Sequence, residues 1–159
     1  PLRNANPVSF LATANAPESR AFYETIIGLE LIEETDFALV FAVGNSHLRI
    51  QKVSQVSPPP YTSMGWLVKD IKNVVASLKE RGVVLDFHQG LAQDENGIWT
   101  SPSCAKIAWF KDPDGNTLSL TQENHIKCRG LVEYLKLSAT PFVVFAAVAK
   151  IANPLAPSL

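Results

Sequence analysis

Asp86 and His88 are the two residues whose types and spacing come closest to an acid–base pair. Residues 83–88 alternate apolar and polar side chains, which predicts a β-strand with Asp86 and His88 on the same face. A carboxylate beside an imidazole orients the ring and raises its pKa, so such a pair would serve as a general base. The same pattern is also typical of a half-exposed strand with solvated side chains, and that alternative stays open.

Residues 108–122 predict a hairpin around which the rest of the chain is organised. Its turn is Asp112-Pro113-Asp114-Gly115-Asn116, where proline presets φ, aspartate closes a local side-chain turn and glycine permits a positive φ. After the turn, residues 117–121 alternate hydroxyl-bearing and leucine side chains. The returning strand is therefore expected to have one packed face and one polar face.

The sequence predicts a β-α-β-β-β unit that occurs twice, and the hairpin closes the second copy. The helix caps Asn15 and Asp70, and the stop glycines Gly28 and Gly82, recur at an offset of about 55 residues, which indicates two copies of one module. The predicted strands are 8–13, 29–34, 37–43, 47–53, 63–68, 83–88, 105–110 and 117–121, and a long loop covers 89–103. The proline-rich stretch 55–60 separates the modules as a linker.

Length and composition predict a globular chain with a small-molecule or protein partner. The 159 residues are 47% apolar, which is enough for one compact domain, and the formal net charge is −1 with no long run of either sign. This excludes the basic footprint of a nucleic-acid binder and a polybasic membrane signal. Cys104 and Cys128 lie outside any metal-binding pattern, and the start of the chain has no apolar export segment. We therefore expect a cytoplasmic protein.

Three motifs together resemble the vicinal oxygen chelate superfamily, the group of glyoxalases, bleomycin resistance proteins and ring-cleavage dioxygenases. They are the Phe22-Tyr23-Glu24 stretch with Gly28-Leu29, the sequence Gly65-Trp66-x-Val68-x-Asp70, and the run 109–116. The resemblance covers about residues 8–122. It implies an α+β fold in which two βαβββ modules, 7–54 and 61–122, curve their sheets around a cavity, and it implies a homodimer.

In metal-using members of that superfamily, His, Glu or Gln ligands occupy cavity-facing positions on the first and last strands of each module. Aligned on the motifs, these positions fall on Val8, Arg49, Ser63 and Ser119. A divalent cation needs imidazole, thiolate or carboxylate donors, and the fixed charge of arginine opposes one. The sequence therefore predicts no metal site and no cofactor, and a register error of one residue would bring in only Gln51.

Strand alternation within this resemblance predicts the lining of the cavity. Arg49 is the residue of most interest, because a planar cation in an apolar and hydroxyl-lined hollow suits a carboxylate, a phosphate or an electron-rich ring. An arginine that reaches solvent or forms an internal salt bridge is the alternative. Trp99, on the long loop, is either a lid that stacks a planar ligand or a side chain packed on the sheet rim. The predicted ligand-binding residues are Phe10, Arg49, Gln51, Ser63, Leu67, Trp99 and Ser119.

Residues 123–159 lie outside the resemblance and predict a C-terminal helical extension. The segment 142–152 is apolar nearly all round, so a helix there would need cover, and we expect it to dock on a partner subunit. It is too short to span a bilayer. An extension without a selected function is the alternative.

These observations favour a metal-independent small-molecule-binding protein that sequesters a planar or anionic compound. The second hypothesis is an enzyme, either with metal-free acid–base catalysis by His88 and Asp86, or as a lyase, isomerase or dioxygenase of the superfamily that uses unusual ligands such as Gln51 and His88. The third hypothesis is a non-catalytic interaction module whose cavity is filled by its own side chains or by the C-terminal segment. A buried Phe10 and a docked segment around Phe142, with no open pocket, would favour this third hypothesis.

Overall fold

Residues 1–123 are the part of the chain that this computed structural model describes, and they form nine strands and two α-helices. The first half contains β1 (Val8–Thr13), α1 (Ala16–Ala21), a π-helical segment (Phe22–Ile27), β2 (Glu30–Glu34), β3 (Ala38–Val43) and β4 (Ser46–Lys52). The second half contains β5 (Thr62–Leu67), α2 (Ile71–Glu80), β6 (Leu85–Asp86), β7 (Trp99–Thr100), β8 (Lys106–Lys111) and β9 (Thr117–Gln122).

The strands form two sheets that repeat one topology. Sheet A has the order β1-β4-β3-β2, and sheet B has the order β5-β9-β8-β6 with β7 also paired to β8. In each sheet the first strand runs parallel to the last one, β1 to β4 and β5 to β9, while the remaining pairs are antiparallel. The predicted α+β class with a duplicated strand–helix unit is confirmed.

Both helices begin at the capping residues that the sequence predicts. The Asn15 side chain accepts a hydrogen bond from the Glu18 backbone N–H, and the Asp70 carboxylate accepts one from Asn73. The first helix widens into a π-helical turn after Ala21 and ends at Gly28, whose φ of 84° is left-handed. The helical pattern in the sequence did not predict this π turn, in which the consecutive residues Phe22 and Tyr23 are both buried.

A single hydrophobic core joins the two halves of the described chain. The helices cover one face of each sheet, so alternate strand residues are buried there while their neighbours face away. Residues of both halves belong to one contact cluster, whose large and fully buried members are Tyr23, Leu39, Phe41, Leu48, Ile50, Ile71, Val75, Phe110 and Leu118. Leu48, Ile50, Leu118 and Leu120 are among the strand residues buried on this side.

The turn between β8 and β9 is built around the buried carboxylate of Asp112. Its Oδ1 accepts hydrogen bonds from the backbone N–H groups of Asp114 and Asn116, at 3.0 and 2.8 Å. Its Oδ2 accepts from the Asn116 side-chain amide at 2.8 Å and from the Tyr23 hydroxyl at 2.9 Å. Since Tyr23 belongs to the first half, this carboxylate ties the two halves together.

Further hydrogen bonds dock the same turn onto the first half. Asp114 accepts from the Ala14 backbone N–H at 2.8 Å and from the Ser19 hydroxyl at 2.9 Å. The Asn116 amide donates to the Ala12 carbonyl at 3.2 Å. Outside this turn, Arg81 at the C-terminal end of α2 also joins the two halves, because its guanidinium donates to carbonyls of the π-helical segment. The turn therefore organises the packing between the halves as well as its own hairpin.

Burial raises the pKa of the Asp112 carboxyl, while hydrogen bonds from Asn116 and Tyr23 oppose that rise. Burial also raises the pKa of Tyr23, and the charge of Asp112 adds to this effect. The carboxylate is thus costly to hold in its ionised form, and its donors offset part of the cost.

The predicted strand 83–88 is wrong in its length, because pairing with β8 is limited to Leu85 and Asp86. Beyond Asp86 the Gln93 side chain, rather than β8, bonds the backbone, accepting from the His88 N–H and donating to the Asp86 carbonyl. Phe87 consequently lies outside the core with 64% of its surface exposed. The predicted loop 89–103 also contains a short strand, β7.

The C-terminal extension, with His125, Cys128 and the apolar segment 142–152, lies outside the described residues. Within residues 1–123 no helix has the length and apolar character needed to cross a membrane.

Tyr23→Phe is expected to lower the free energy of unfolding by about 2 kcal/mol at neutral pH, because it removes a buried donor to an ionised carboxylate. The loss should shrink when the pH falls below the raised pKa of Asp112, since a protonated carboxyl gains less from that donor. Urea unfolding at several pH values measures both effects. The matched control is Tyr61→Phe, because Tyr61 is 60% exposed. An equal loss in both variants would contradict the role of the Tyr23 hydroxyl.

Gly65→Ala is expected to destabilise sheet B by about 2 kcal/mol through overpacking. A methyl group at Gly65 would lie 2.4 Å from the Ser119 Oγ and 3.1 Å from the Ser119 carbonyl oxygen. Ser119→Ala removes the closer contact. Gly65→Ala should therefore destabilise the Ser119→Ala variant less than it destabilises the wild-type protein. Thermal unfolding of the four proteins measures this coupling, and strictly additive effects would contradict it.

Candidate functional site

Each sheet has an open face, which is the face that points away from the helices. The open faces carry the residues predicted to bind a ligand. On sheet A these faces present Val8 and Phe10, which are 47% and 57% exposed although both are apolar. On sheet B they present Leu67, which is 69% exposed. Large apolar side chains left open on a strand face are typical of a surface that contacts a ligand or another chain.

Arg49 lies in the middle of the open face of sheet A. Strand pairing places it between Phe10 on β1 and Val40 on β3. Its side chain is half-buried, and within residues 1–123 no hydrogen bond or ion pair to it is found. The expected alternative of an internal salt bridge therefore finds no support in the described part of the chain. Gln51 lies on the same face and is exposed. Its partners on the neighbouring strands are Ala12 and Ala38.

Ser119 and Ser63 provide hydroxyl groups on sheet B. Ser119 is buried between Gly65 on β5 and Trp109 on β8, and the missing side chain of Gly65 makes room for its Oγ. Ser63 lies at a register shift in β5, and its Oγ is buried without a hydrogen-bond partner among the described residues. Buried hydroxyls without partners are uncommon in folded proteins.

Three rings form a row on the open face of sheet B. Trp109 lies between Trp99, whose ring centroid is 6.1 Å away, and His88, whose centroid is 5.0 Å away at an interplanar angle of 88°. Trp99 belongs to β7 and pairs with Ile107 of β8. Its ring is tilted by 32° against the ring of Trp109.

Asp86 and His88 do not form the predicted acid–base pair. The Asp86 carboxylate lies 3.7 Å from the Lys111 ammonium group, whereas the His88 ring contacts Trp109. In the described part of the chain no hydrogen bond joins the Asp86 and His88 side chains, because regular strand geometry ends between them. His88 Nε2 is buried and also without a partner there.

Sequence reasoning missed Trp109 and Lys111 as residues of the open face. β8 alternates, so Ala108 and Phe110 point to the helices and Trp109 and Lys111 point to the other side, where Trp109 is buried and Lys111 is exposed. This alternation is present in the sequence and would have located both residues. The contact of His88 with Trp109 has no such signal, since it depends on the path of the loop after β6.

The predicted site residues therefore fall in two groups. Phe10, Arg49 and Gln51 share sheet A, whereas Ser63, Leu67, Asp86, His88, Trp99 and Ser119 belong to sheet B or its rim. Among residues 1–123 no hydrogen bond or ion pair links the two groups.

A superfamily metal ion does not fit the residues at its expected positions. Val8 offers no donor atom, Arg49 brings a positive charge, and Ser63 and Ser119 offer only neutral hydroxyls. No group of three or more His, Cys, Asp or Glu side chains suited to a metal ion occurs within the described residues.

Solved structures with the same architecture come from several bacteria. A glyoxalase family protein from Bacillus anthracis is 19% identical, with a TM-score of 0.61, and the match covers 76% of this chain and 96% of that chain. Lactoylglutathione lyase from Agrobacterium tumefaciens is 14% identical, with a TM-score of 0.61 and coverage of 75% and 93%. The bleomycin resistance determinant of transposon Tn5 is 17% identical, with a TM-score of 0.61 and coverage of 76% and 99%. At these identities the likeness shows the fold alone.

Sequence comparison identifies the family. No curated protein matches the chain. The profile of the Glyoxalase/Bleomycin resistance protein/Dioxygenase superfamily matches residues 6–120, which is most of the chain. The resemblance carried by the three sequence motifs is thereby confirmed, and the chain belongs to the glyoxalase/bleomycin resistance protein/dioxygenase superfamily.

Proposed function

We propose that this chain is a metal-independent small-molecule-binding protein that sequesters a planar or anionic compound. The observation that carries the proposal is Arg49, a half-buried guanidinium without an ion-pair partner in residues 1–123. An arginine in such a place pays the cost of partial desolvation, and an anionic or π-rich ligand offsets that cost. Its planar fork also selects for flat carboxylate or phosphate groups.

The surroundings of Arg49 support the same proposal. Phe10, its neighbour across the parallel pair, offers a ring that is 57% exposed, and Gln51 adds an exposed amide on the same face. A ring and an amide beside a cation would hold a flat anion by stacking and hydrogen bonding. These contacts require binding only, and no reaction is implied by them.

We further propose a cytoplasmic homodimer in which a second copy covers part of the open faces. The exposed apolar side chains Val8, Phe10 and Leu67 support this, because burial of such surface favours association. Cys104 is a free thiol, which suits a reducing compartment.

The two other hypotheses receive less support from the described residues. An enzyme that uses Asp86 to orient His88 lacks the hydrogen bond that such a pair needs, since Asp86 faces Lys111. An interaction module whose cavity is filled by its own strand side chains would bury Phe10, and this side chain is exposed.

Arg49→Ala is expected to weaken binding of planar anions by about tenfold or more, because the charge-assisted hydrogen bonds are lost. Thermal-shift screening of aromatic and anionic compounds on the full chain finds ligands, and calorimetry measures their affinities. Arg49→Lys should recover only part of the affinity, since it restores the charge without the planar fork.

The matched control is Lys72→Ala, which removes one positive charge from the exposed surface of α2 and should leave binding unchanged. Binding that is equal in wild type and Arg49→Ala, or a complete lack of stabilising compounds, would refute the proposed site.

Untagged protein purified without chelator and incubated with manganese, iron, nickel or zinc is expected to retain far less than one ion per subunit. The reason is the donor set, since valine, arginine and two serines cannot satisfy a divalent cation. Elemental analysis after gel filtration makes the measurement. About one tightly held ion per subunit would overturn metal independence and turn attention to enzyme assays.

A further inference from the structure

An apolar groove, here called the seam groove, lies where the two halves meet on the helix side of sheet B. Its volume is about 200 Å³, and every residue that lines it is apolar. The first half contributes Ile27 and Leu29, and the second half contributes, among others, Trp66, Leu67, Val68 and Val74. The groove is therefore a strip of core surface that solvent still reaches.

The seam groove exists because the cover of sheet B is incomplete at its edge. β5 is an edge strand of this sheet, while α2 packs against β8 and β9. Trp66 and Val68 of the β5 end consequently remain only partly buried against the core, and Leu67 at the rim is 69% exposed. Apolar surface of this kind gains stability when another apolar element covers it.

The size and lining of the seam groove favour protein side chains over a free small molecule. Small-molecule sites usually measure on the order of 300–1,000 Å³ and carry a few polar groups that orient the ligand. The seam groove is smaller, and its lining side chains are all apolar. Such a groove suits the apolar face of a docked helix, which inserts one or two large side chains.

The described chain ends beside this groove. The Val68 backbone N–H, next to the groove, donates to the Thr121 carbonyl at 2.8 Å, and the Gln122 side-chain oxygen accepts from the Ile71 N–H at 2.9 Å. These bonds fix the end of β9 against the start of α2, so residues 124–159 leave the fold there. Residues 124–141 would span on the order of 60 Å if fully extended, which is ample to reach the groove.

The sequence of the C-terminal segment 142–152 matches what the seam groove lacks. Lys150 is its only charged residue, and the groove has no charged lining that would repel or select an ion. Phe145 and Val148 are three residues apart, so they share one face of the helix that the sequence predicts. Alanine at positions 146 and 149 leaves that helix thin enough for close approach.

We propose that the segment 142–152 docks in the seam groove of its own subunit. Phe145 and Val148 enter the groove, and the segment covers the exposed edge of the core around Trp66 and Val68. Docking on its own subunit is favoured over docking on a partner because the chain leaves beside the groove, and a tether of this kind holds the segment at an effective concentration on the order of millimolar. The interaction leaves the Arg49 face free and does not depend on it.

Hydrogen exchange of the full chain, followed by mass spectrometry, tests the proposal. In Val74→Glu, a charge enters the groove from α2 in a residue that favours helices, so the segment should be released. Exchange in residues 142–152 should be about tenfold or more slower in the wild-type protein than in this variant. Ala76→Glu is the matched control, because it makes a similar change at an exposed position of α2 outside the groove, and protection should persist there.

Fast exchange of residues 142–152 in the wild-type protein would overturn the proposal. Protection that survives in Val74→Glu would also overturn it. Peptides from β8 report in the same experiment whether each variant is folded. Should Val74→Glu fail to fold, Leu67→Glu replaces it, because Leu67 lies at the exposed rim of the groove and accepts a charge without burying it.

Co-expression of two variants distinguishes docking on the same subunit from docking on a partner. Val74→Glu has a defective groove and an intact segment, whereas the double variant Phe145→Glu/Val148→Glu has an intact groove and a defective segment. If segments docked on partners, mixed dimers would restore protection to the segment of the Val74→Glu chain, which its peptide masses identify. We expect no restored protection, and its appearance would overturn docking on the same subunit.

Discussion

The buried carboxylate of Asp112 is the interaction on which the arrangement of the two halves depends. It receives two backbone donors from its own turn, the Asn116 amide, and the Tyr23 hydroxyl from the other half. A buried charge with fewer donors would be unstable, so the turn keeps its shape only while the π-helical segment stays packed against it. Asp114, in the same turn, makes two more contacts to the first half. The faces of both sheets that point to the helices therefore pack into one core.

Several polar groups have no hydrogen-bond or ion-pair partner among the described residues, and some of them belong to residues on the opposite faces of the sheets. Arg49 on sheet A has no ion pair within the described residues, and His88 Nε2 and Ser63 Oγ in the second half are buried without hydrogen bonds. A chain selected for stability alone would replace such groups with apolar ones. Arg49 lies on the open face of sheet A beside the exposed ring of Phe10, and this is why we propose small-molecule binding there.

Much of the fold was predictable because it rests on local rules. Helix starts at Asn15 and Asp70, and the alternation of the long strands, follow from capping and from the two-residue period of a strand. The duplicated unit follows from repetition of those signals. The short strand β7 and the π-helical turn were missed, and β6 is shorter than the predicted strand 83–88, because the short strands depend on partners distant in sequence rather than on their own residues.

For the candidate site, the sequence by itself determined which residue types are present and which face of each long strand they occupy. It thus placed Arg49 and Ser119 on the strand faces that point away from the helices. Tertiary structure alone decided that Asp86 pairs with Lys111 instead of orienting His88, and that the proline linker closes a cavity over the end of sheet B. The physical reason is that periodicity assigns a side chain to a face, whereas its neighbours are set by how loops such as the one held by Gln93 cross that face.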